Sequence, residues 1–433
     1  MSNRNKAGAA KDRLKPALAP RLRFPEFRGA SDWELVPLHR LAERTTLKNR
    51  DEKMTRVLTN SAEFGVVDQR DFFDKDIATQ GNLDSYYVVE LGSYVYNPRI
   101  SATAPVGPIS KNKVGAGVMS PLYTVFKFKD DSNDFYEYYF KSTGWHNYMR
   151  QAASTGARHD RMAISSEDFL AMPLPASAPE ELRKIGECLH SADELIAAQE
   201  QKVDALRTHK KGLMQQLFPR GGEAQPRLRL PEFQDAGDWE ETELGQCFDK
   251  VIDYRGKPPP KAESGVPLIT AKNVRFGWLD MTADEYIEAD AYDAWMTKGI
   301  PKAGDILFTT EAPLGNVAMF PSEGRFALGQ RIITLRGKAE KCDPEFLFQS
   351  LLGEEMQRAI DFHSTGSTAK GIKSSVFVTL GFRLPKVAEQ QRIALCLSSL
   401  DTLMTAETQK LEALKIHKKG LMQQLFPSTE DGK

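Results

Sequence analysis

The eleven residues HKKGLMQQLFP occur twice in this chain of 433 residues, at 209–219 and at 417–427. Chance does not supply an identity of this length, so the chain contains two similar domains or must present the same surface in two places. The match extends toward the N-terminus of each copy, because 182–212 aligns with 390–420. Self-similarity of this kind constrains the architecture before any local pattern does.

A second repeated segment opens each copy. RLRFPEF at 21–27 returns as RLRLPEF at 227–233, and the tripeptide DWE follows each of them. Between these matching ends, 35–175 and 241–385 have largely different sequences, and each is long enough for one domain. The chain is therefore a duplication with pseudo-twofold character, and two copies are too few for a solenoid.

The repeated C-terminal flanks have the spacing of a coiled coil. Apolar residues recur in alternating steps of four and three from Ile185 to Leu217 and from Ile393 to Leu425, which is the a/d pattern of a helix seam. Each helix should run for about 37 residues, or ~55 Å, and Pro219 and Pro427 should end them. An ordinary amphipathic helix on a globular domain is the alternative to an antiparallel coiled coil.

Polar residues interrupt the two seams at matching levels, namely Gln199 with Glu407 and Lys210 with Lys418. Such residues weaken a seam but select its orientation and partner number. The glycine of HKKG costs a helix about 1 kcal/mol relative to alanine. It indicates either the close approach of another backbone or a tolerated kink.

The divergent middles mix β-rich runs with helical stretches. Strands are predicted at 93–100, 123–128, 305–312 and 331–337, and helices at 134–151 and 344–363. A basic loop containing STG follows each predicted helix, as STGARHDRM in the first copy and STGSTAKGIKSS in the second. Small hydroxylated residues, glycine and a few cations can approach a phosphate backbone and reach base edges.

Composition excludes several classes of protein. With 58 basic and 59 acidic residues the net charge is −1, so the chain is not basic throughout, although a local basic cleft remains possible. The four cysteines show neither CxxC nor zinc-ligand spacing, which indicates a reducing cytoplasm and no structural metal. No apolar run could span a membrane. The basic N-terminus lacks the apolar core of a secretory signal, and a disordered polar tail is favoured over a transit peptide.

Motifs for catalysis are missing from the sequence. The chain has no GxxxxGK[ST] loop, no HExxH and no GxSxG elbow. NPRI at 97–100 lacks the second proline and the aromatic residue of an amino-methyltransferase tetrapeptide. Carboxylates are abundant but form no ordered nuclease set. We therefore expect a chain without catalytic residues and without a metal site.

Taken together, the two variable domains, the matching helices ending in LMQQLFP and the PEF…DWE segments resemble the specificity subunit of Type I restriction-modification enzymes. The likeness runs from about Arg21 to Pro427. In the second half, GDILFTTEAPLGNVAMF (304–320) and STGSTAKGIKSS (364–375) are similar to stretches of that family's target-recognition domains, and the first half departs from both.

The resemblance implies an α+β fold of two globular target-recognition domains joined by two long antiparallel coiled-coil helices. The expected segments are a disordered basic tail (1–20), target-recognition domain 1 (21–176), coiled-coil helix 1 (177–219), a linker (220–226), target-recognition domain 2 (227–385), coiled-coil helix 2 (386–427) and a short tail (428–433).

The resemblance also implies a function. Each domain would read one half of a bipartite double-stranded DNA target, and the helices would set the spacing and dock two modification (methyltransferase) subunits. Those partners would hold S-adenosylmethionine, and restriction subunits using ATP and magnesium would join through the assembly. The chain itself would bind no cofactor and would serve phage defence in the cytoplasm.

Candidate contact residues follow from these loops and repeats. For DNA they are Asn97, Arg99, Ser154, Thr155, Arg158, His159, Arg161, Thr309, Thr310, Ser364, Thr365, Ser367, Lys370 and Lys373. For partner docking they are His209, Lys210, Lys211, Gly212, His417, Lys418, Lys419 and Gly420.

Two other functions are the alternatives to this one. A coiled-coil scaffold or adaptor that binds proteins but no DNA would show no salt-dependent DNA binding. A single-chain restriction-methylation enzyme would need a cofactor-binding fold of some 200 further residues by a typical domain size, for which these segments leave no room.

Overall fold

The structure, a computed structural model, describes residues 18–72, 83–153, 160–254, 258–282, 285–366 and 370–427. The chain forms two compact units. Unit 1 comprises Met1–Ala198 and Leu411–Lys433, and unit 2 comprises Gln199–Lys410. Both boundaries fall inside the long helices, so each unit contains one β-rich domain and a part of each helix. The fold is α+β, as predicted.

The described residues of unit 1 form ten short strands. They are β1 (Glu34–Pro37), β2 (Ala42–Thr45), β3 (Leu58–Ser61), β4 (Gly65–Asp68), β5 (Tyr87–Val89), β6 (Tyr94–Tyr96), β7 (Ile109–Lys111), β8 (Gly117–Met119), β9 (Thr124–Phe128) and β10 (Pro173–Ala176). Its main sheet is antiparallel with the order β2-β9-β6-β7, and β1 pairs with β10 at the base of the long helix.

The helices that begin in unit 1 are short except for the last. They are α1 (Leu38–Leu41), α2 (Gln69–Phe72), α3 (Asp134–Tyr139), α4 (His146–Ala152), α5 (Ser166–Leu170) and α6 (Pro179–Leu217). The core of the unit is aromatic, and the end of the second long helix belongs to it. Phe426 meets Phe135 edge to face at 5.3 Å between ring centroids, and Leu425 is 1% exposed.

Unit 2 repeats this plan, with nine strands in the ranges that the structure describes. They are β11 (Glu240–Glu243), β12 (Phe248–Asp253), β13 (Val266–Ile269), β14 (Tyr286–Ile287), β15 (Ile306–Thr309), β16 (Val317–Met319), β17 (Ala327–Leu328), β18 (Ile332–Gly337) and β19 (Gly381–Leu384). The main sheet has the order β12-β18-β15-β16, and β11 pairs with β19 as β1 pairs with β10.

The remaining helices are α7 (Tyr292–Trp295), α8 (Pro344–Leu352), α9 (Glu354–Phe362), α10 (Ser374–Phe377) and α11 (Val387–Leu425). Two cores lie on either side of the main sheet. Phe308 on one face of β15 packs in the first with Phe346, and Leu307 on the other face belongs to the second. This alternation is what a strand buried on both faces requires.

The long helices confirm the seam prediction. α6 and α11 are 39 residues each and end two residues before Pro219 and Pro427. Every position of the two predicted stripes is buried or half-buried. Within unit 2 the segments run antiparallel, because Lys210 contacts Asp401 while Gln199 contacts Glu407.

The predicted strands are all present, in shorter form, but the two predicted helices are each split. In unit 2 the break lies at Gly353, whose extended backbone (φ −66°, ψ 145°) separates α8 from α9. In unit 1 the break falls between α3 and α4, where Trp145 is buried. Both breaks turn the chain back onto its core, which a helical periodicity does not encode.

Most of the predicted basic tail, 1–20, lies outside the described residues, as does 428–433. The described end of this segment contacts the chain that follows it. Leu18 forms a backbone bridge with Trp33, whose N–H donates to the Leu18 carbonyl at 3.0 Å.

Candidate nucleic-acid and partner interfaces

The repeated PEF…DWE segments clamp the start of the long helices. Arg23 pairs with Glu181 on α6 at 2.7 Å, and the matching Arg229 pairs with Glu389 on α11 at 2.7 Å. Burial raises the pKa of Glu181, but the Arg23 hydrogen bond and charge outweigh it, so the net pKa is lowered. These repeats are therefore structural, a role that their sequence alone did not reveal.

The first polar level of the seam is a hydrogen bond between matched residues. The Gln199 side-chain amide donates to the Glu407 carboxylate at 2.7 Å and to its backbone carbonyl at 2.9 Å. Lys202 also pairs with Glu407. The Lys210–Asp401 contact shows that the helices are antiparallel, and in an antiparallel pair of equal helices matched positions face each other at one level only, so the Gln199–Glu407 contact fixes the register within unit 2.

The second polar level consists of ion pairs made by Lys210 and Lys418 within the chain. Lys210 donates to Asp401 at 2.6 Å, and Gln349 of α8 donates to the same carboxylate at 2.8 Å. In unit 1 Lys418 pairs with Asp193, which also accepts a hydrogen bond from Tyr138. Both ammonium groups are thus held in ion pairs within the chain, and their role in docking stays a prediction.

The rest of each HKKG motif is accessible. His209, Lys211, His417 and Lys419 are exposed. A Cβ atom added to Gly212 or Gly420 would meet nothing within 4 Å. No other described part of the chain therefore approaches these glycines closely, and the space beside them is open to a partner.

In unit 1 the structure brings together two predicted DNA contacts from distant parts of the sequence. Arg99, after β6, and Arg161, after the STG loop, form an antiparallel bridge. Asp160 lies 3.8 Å from both guanidinium groups. One carboxylate against two guanidinium groups leaves net positive charge at this edge, which suits a phosphate backbone.

Asn97 lies beside these arginines, but its side chain makes hydrogen bonds within the chain. Its amide donates to the Asn60 carbonyl at 2.9 Å, and its carbonyl oxygen accepts from the Arg99 N–H at 3.0 Å. The side chain positions the Arg99 backbone, and it is half-buried. We therefore regard it as a positioning residue for Arg99.

Unit 2 contains the same bridge with different residues. Glu311, after β15, bridges Gly371, which follows the second STG loop, and Gly371 also bridges Thr365. Lys370 pairs with Asp361 at 2.6 Å. Lys373 is exposed and makes no ion pair among the described residues. Thr365 is exposed, whereas the Ser364 hydroxyl donates to the Asp361 carbonyl at 2.6 Å.

The predicted contacts at Thr309 and Thr310 are not supported, because their side chains are 0% and 1% exposed. The Thr309 hydroxyl accepts from the Asn316 N–H at 2.8 Å, and the Thr310 hydroxyl donates to the Arg331 carbonyl at 3.3 Å. Both residues shape the loop after β15 instead.

Sequence reasoning also missed Arg331. It has a left-handed backbone (φ 68°) and pairs with Glu311 at 3.4 Å beside the bridge. No motif marks this residue. The remaining predicted contacts lie outside the described residues, namely Ser154, Thr155, Arg158, His159 and Ser367.

Within the described ranges, no three His, Cys, Asp or Glu side chains are grouped so that they could hold a metal ion. Nor is any described helix both long and apolar enough to cross a membrane.

Comparison with known proteins identifies the family. The pattern described as Type I restriction modification DNA specificity domain matches residues 237–415. The chain is 25% identical over 325 residues to the Type I restriction enzyme MjaVIII specificity subunit of Methanocaldococcus jannaschii, covering 73% of this chain and 74% of that protein. Residues 237–415 thus form a Type I restriction-modification DNA specificity domain, and the chain as a whole is similar to Type I specificity subunits.

Solved structures share its fold. The Type I S subunit from M. genitalium superposes with a TM-score of 0.56 at 14% identity, over 95% of this chain and all of that one. A chain from a study of complex assembly and conformational transition in the type I R-M system superposes with a TM-score of 0.55 at 16% identity. The match covers 91% of this chain and 97% of that one. The specificity subunit is a non-catalytic member of its complex.

Proposed function

We propose that each unit of this specificity subunit reads one half of a bipartite DNA target. The observation that carries the proposal is the bridge after β6 in unit 1 and after β15 in unit 2. The same backbone arrangement presents Arg99 and Arg161 in one unit but Glu311 and Gly371 in the other. A similar backbone framework with different side chains is what two different half-sites require, because base edges are read by side chains.

The helix pair sets the distance between the two half-sites and docks two modification subunits. Support for docking comes from the exposed His209, Lys211, His417 and Lys419, which occur in identical sequence on the two helices. Two surfaces that bind copies of the same partner are expected to have the same sequence, as the two helix motifs do. Two surfaces that read different bases are expected to differ, as the two recognition domains do.

Reaction chemistry is supplied by the partners. The modification subunits bind S-adenosylmethionine and transfer the methyl group, and restriction subunits that use ATP and magnesium join through the assembly in the cytoplasm. This chain directs both activities to a sequence without taking part in either.

Selection from random duplexes tests the proposal. The specificity subunit, reconstituted with its cognate modification subunit, should enrich two short conserved blocks separated by a spacer of fixed length and variable sequence. Binding should weaken steeply with salt. A single continuous block, or no enrichment and no salt-dependent binding, would favour the scaffold alternative and exclude bipartite reading.

A further inference from the structure

A large groove lies within unit 2, beside the first HKKG motif. Its volume is about 1810 Å³. One wall is α6, with Lys211 and Met214, and another is α9, with Met356 and Arg358. Phe276 and Trp278 line it from the loop that follows β13.

The aromatic side chains are on a rigid turn. The Arg275 N–H donates to the Trp278 carbonyl at 2.9 Å, and the Gly277 N–H donates to the Val317 carbonyl at 2.8 Å. Gly277 has a φ of 93°, which favours glycine. Phe276 and Trp278 are nevertheless 53% and 57% exposed. Aromatic groups fixed in this way lose little entropy when a partner covers them.

The exposed Phe-Gly part of this turn also occurs in the other half of the chain, where Phe64 is 62% exposed and the buried Val66 stands in place of Trp278. FGWLD at 276–280 is matched by FGVVD at 64–68, and Gly65 also has a positive φ of 68°. A feature kept in both domains is suited to a partner common to both, not to the half-site that distinguishes them.

The groove favours a polypeptide over a small molecule or DNA. Ligand pockets measure about 300–1,000 Å³, and this groove is larger. Methionine and aromatic side chains are enriched where proteins meet. The groove is mixed in charge, because four of its five carboxylates pair with cations of its own lining: Glu241 with Arg383, Glu354 and Glu355 with Arg358, and Asp401 with Lys210. Such a surface is less suited to a phosphate backbone than a uniformly basic one. The predicted DNA contacts Lys370 and Lys373 are not among its lining residues.

We propose that this groove receives an amphipathic segment of one modification subunit, with Phe276 and Trp278 as its apolar anchors. The inference rests on the proposed function and extends that docking surface from the helix onto the recognition domain. Lys211 and Arg220 line the groove and make no ion pair in the described part of the chain. The bound segment therefore carries acidic residues beside its apolar face.

The test measures binding of the purified cognate modification subunit to the full-length specificity subunit. The wild type should bind two copies. The double variant Phe276→Ala/Trp278→Ala should bind one copy about 30-fold more weakly or lose it, as expected for anchor residues. Ile300→Ala is the matched control, because Ile300 is similarly exposed (55%) in unit 2 but outside the groove.

A second variant tests the charge and does not depend on the aromatic turn. Lys211→Glu should weaken the same binding step and reduce its dependence on salt. Benzoylphenylalanine at position 278 should crosslink to the modification subunit. Crosslinking to DNA alone or to a second copy of this chain would overturn the inference.

Unchanged binding of both copies by the double variant would also overturn this inference, while the proposed function would stand. Failure of the wild type to bind any modification subunit would instead contradict the proposed function.

Discussion

The Lys210 ammonium lies 2.6 Å from the Asp401 carboxylate, and the matched residues Lys418 and Asp193 are paired in the same way in unit 1. Each carboxylate also accepts a hydrogen bond from its domain, from Gln349 or Tyr138. The duplicated motif therefore has two parts. Its first lysine ties the helix pair to a recognition domain, and its histidine and second lysine remain exposed.

Replacing Lys210 by methionine should destabilise unit 2. Its side chain is only 11% exposed, and its loss leaves the partly buried Asp401 without its cation. The expected cost is about 1–3 kcal/mol, below that of a fully buried pair because Asp401 is partly solvated. Urea unfolding measures it. Lys211→Met, at an exposed position of the same motif, should change stability by less than about 0.5 kcal/mol. Equal losses of unfolding free energy in the two variants would contradict a structural role for Lys210.

The pair in unit 1 should make stability depend on pH. Burial raises the pKa of Asp193, but Lys418 and Tyr138 outweigh it, so the pKa lies below the ordinary value. Such a carboxyl stabilises the fold above its unfolded pKa, near 3.9, and this contribution is lost as pH falls through the lower folded value. The difference in stability between wild type and Lys418→Met should therefore narrow as pH falls from about 6 to about 3. Thermal melts monitored by circular dichroism measure it, and a constant difference would exclude the ion pair.

Arg229→Ala should be more damaging than Arg227→Ala, although the two arginines are neighbours in the same segment. Arg229 and Glu389 have side chains that are 7% and 2% exposed, whereas Arg227 is 52% exposed. Breaking a buried pair leaves an uncompensated charge and costs about 3–5 kcal/mol. The exposed pair should contribute at most about 1 kcal/mol. Comparable unfolding midpoints for the two variants would show that the PEF…DWE segment does not clamp α11.

The long helices could be predicted from the sequence because a seam repeats over many turns and leaves a strong periodic signal. The α+β class and the four strands around Tyr94, Phe126, Phe308 and Ile333 were also predictable. The splitting of both domain helices was not, since it depends on how the chain packs back onto its core. The spacing of apolar residues does not predict where these two helices break.

The candidate site was predictable in part. Loops identified by composition do converge, since Arg99 meets Arg161. The sequence could not show that the side chains of Thr309 and Thr310 are buried. Threonine occurs at both buried and exposed positions near the end of a strand, so its identity does not predict its burial. Nor could it separate Lys210 from Lys211, whose different environments arise only when the second helix is in place.

Lengthening both helices should lengthen the DNA spacer. One heptad added to α6 and α11 at matching levels preserves the seam and adds ~10 Å, or roughly three base pairs. Three base pairs also rotate the duplex by roughly 100°, so affinity should fall. Four added residues would break the register and should damage folding. Selection from random duplexes reads the spacer directly. An unchanged spacer at full affinity would show that the helices do not set the distance.

The most direct measurement is site selection with variants confined to one unit. Arg99→Ala/Arg161→Ala and Lys370→Ala/Lys373→Ala should each lower affinity and flatten the dependence on salt, by up to about two units of slope if both side chains meet phosphate. Each double variant should weaken the enrichment of one block of the consensus and leave the other block unchanged, and the two should affect opposite blocks. Loss of information from both blocks in either variant, or an unaltered affinity and salt slope, would contradict independent reading by the two units.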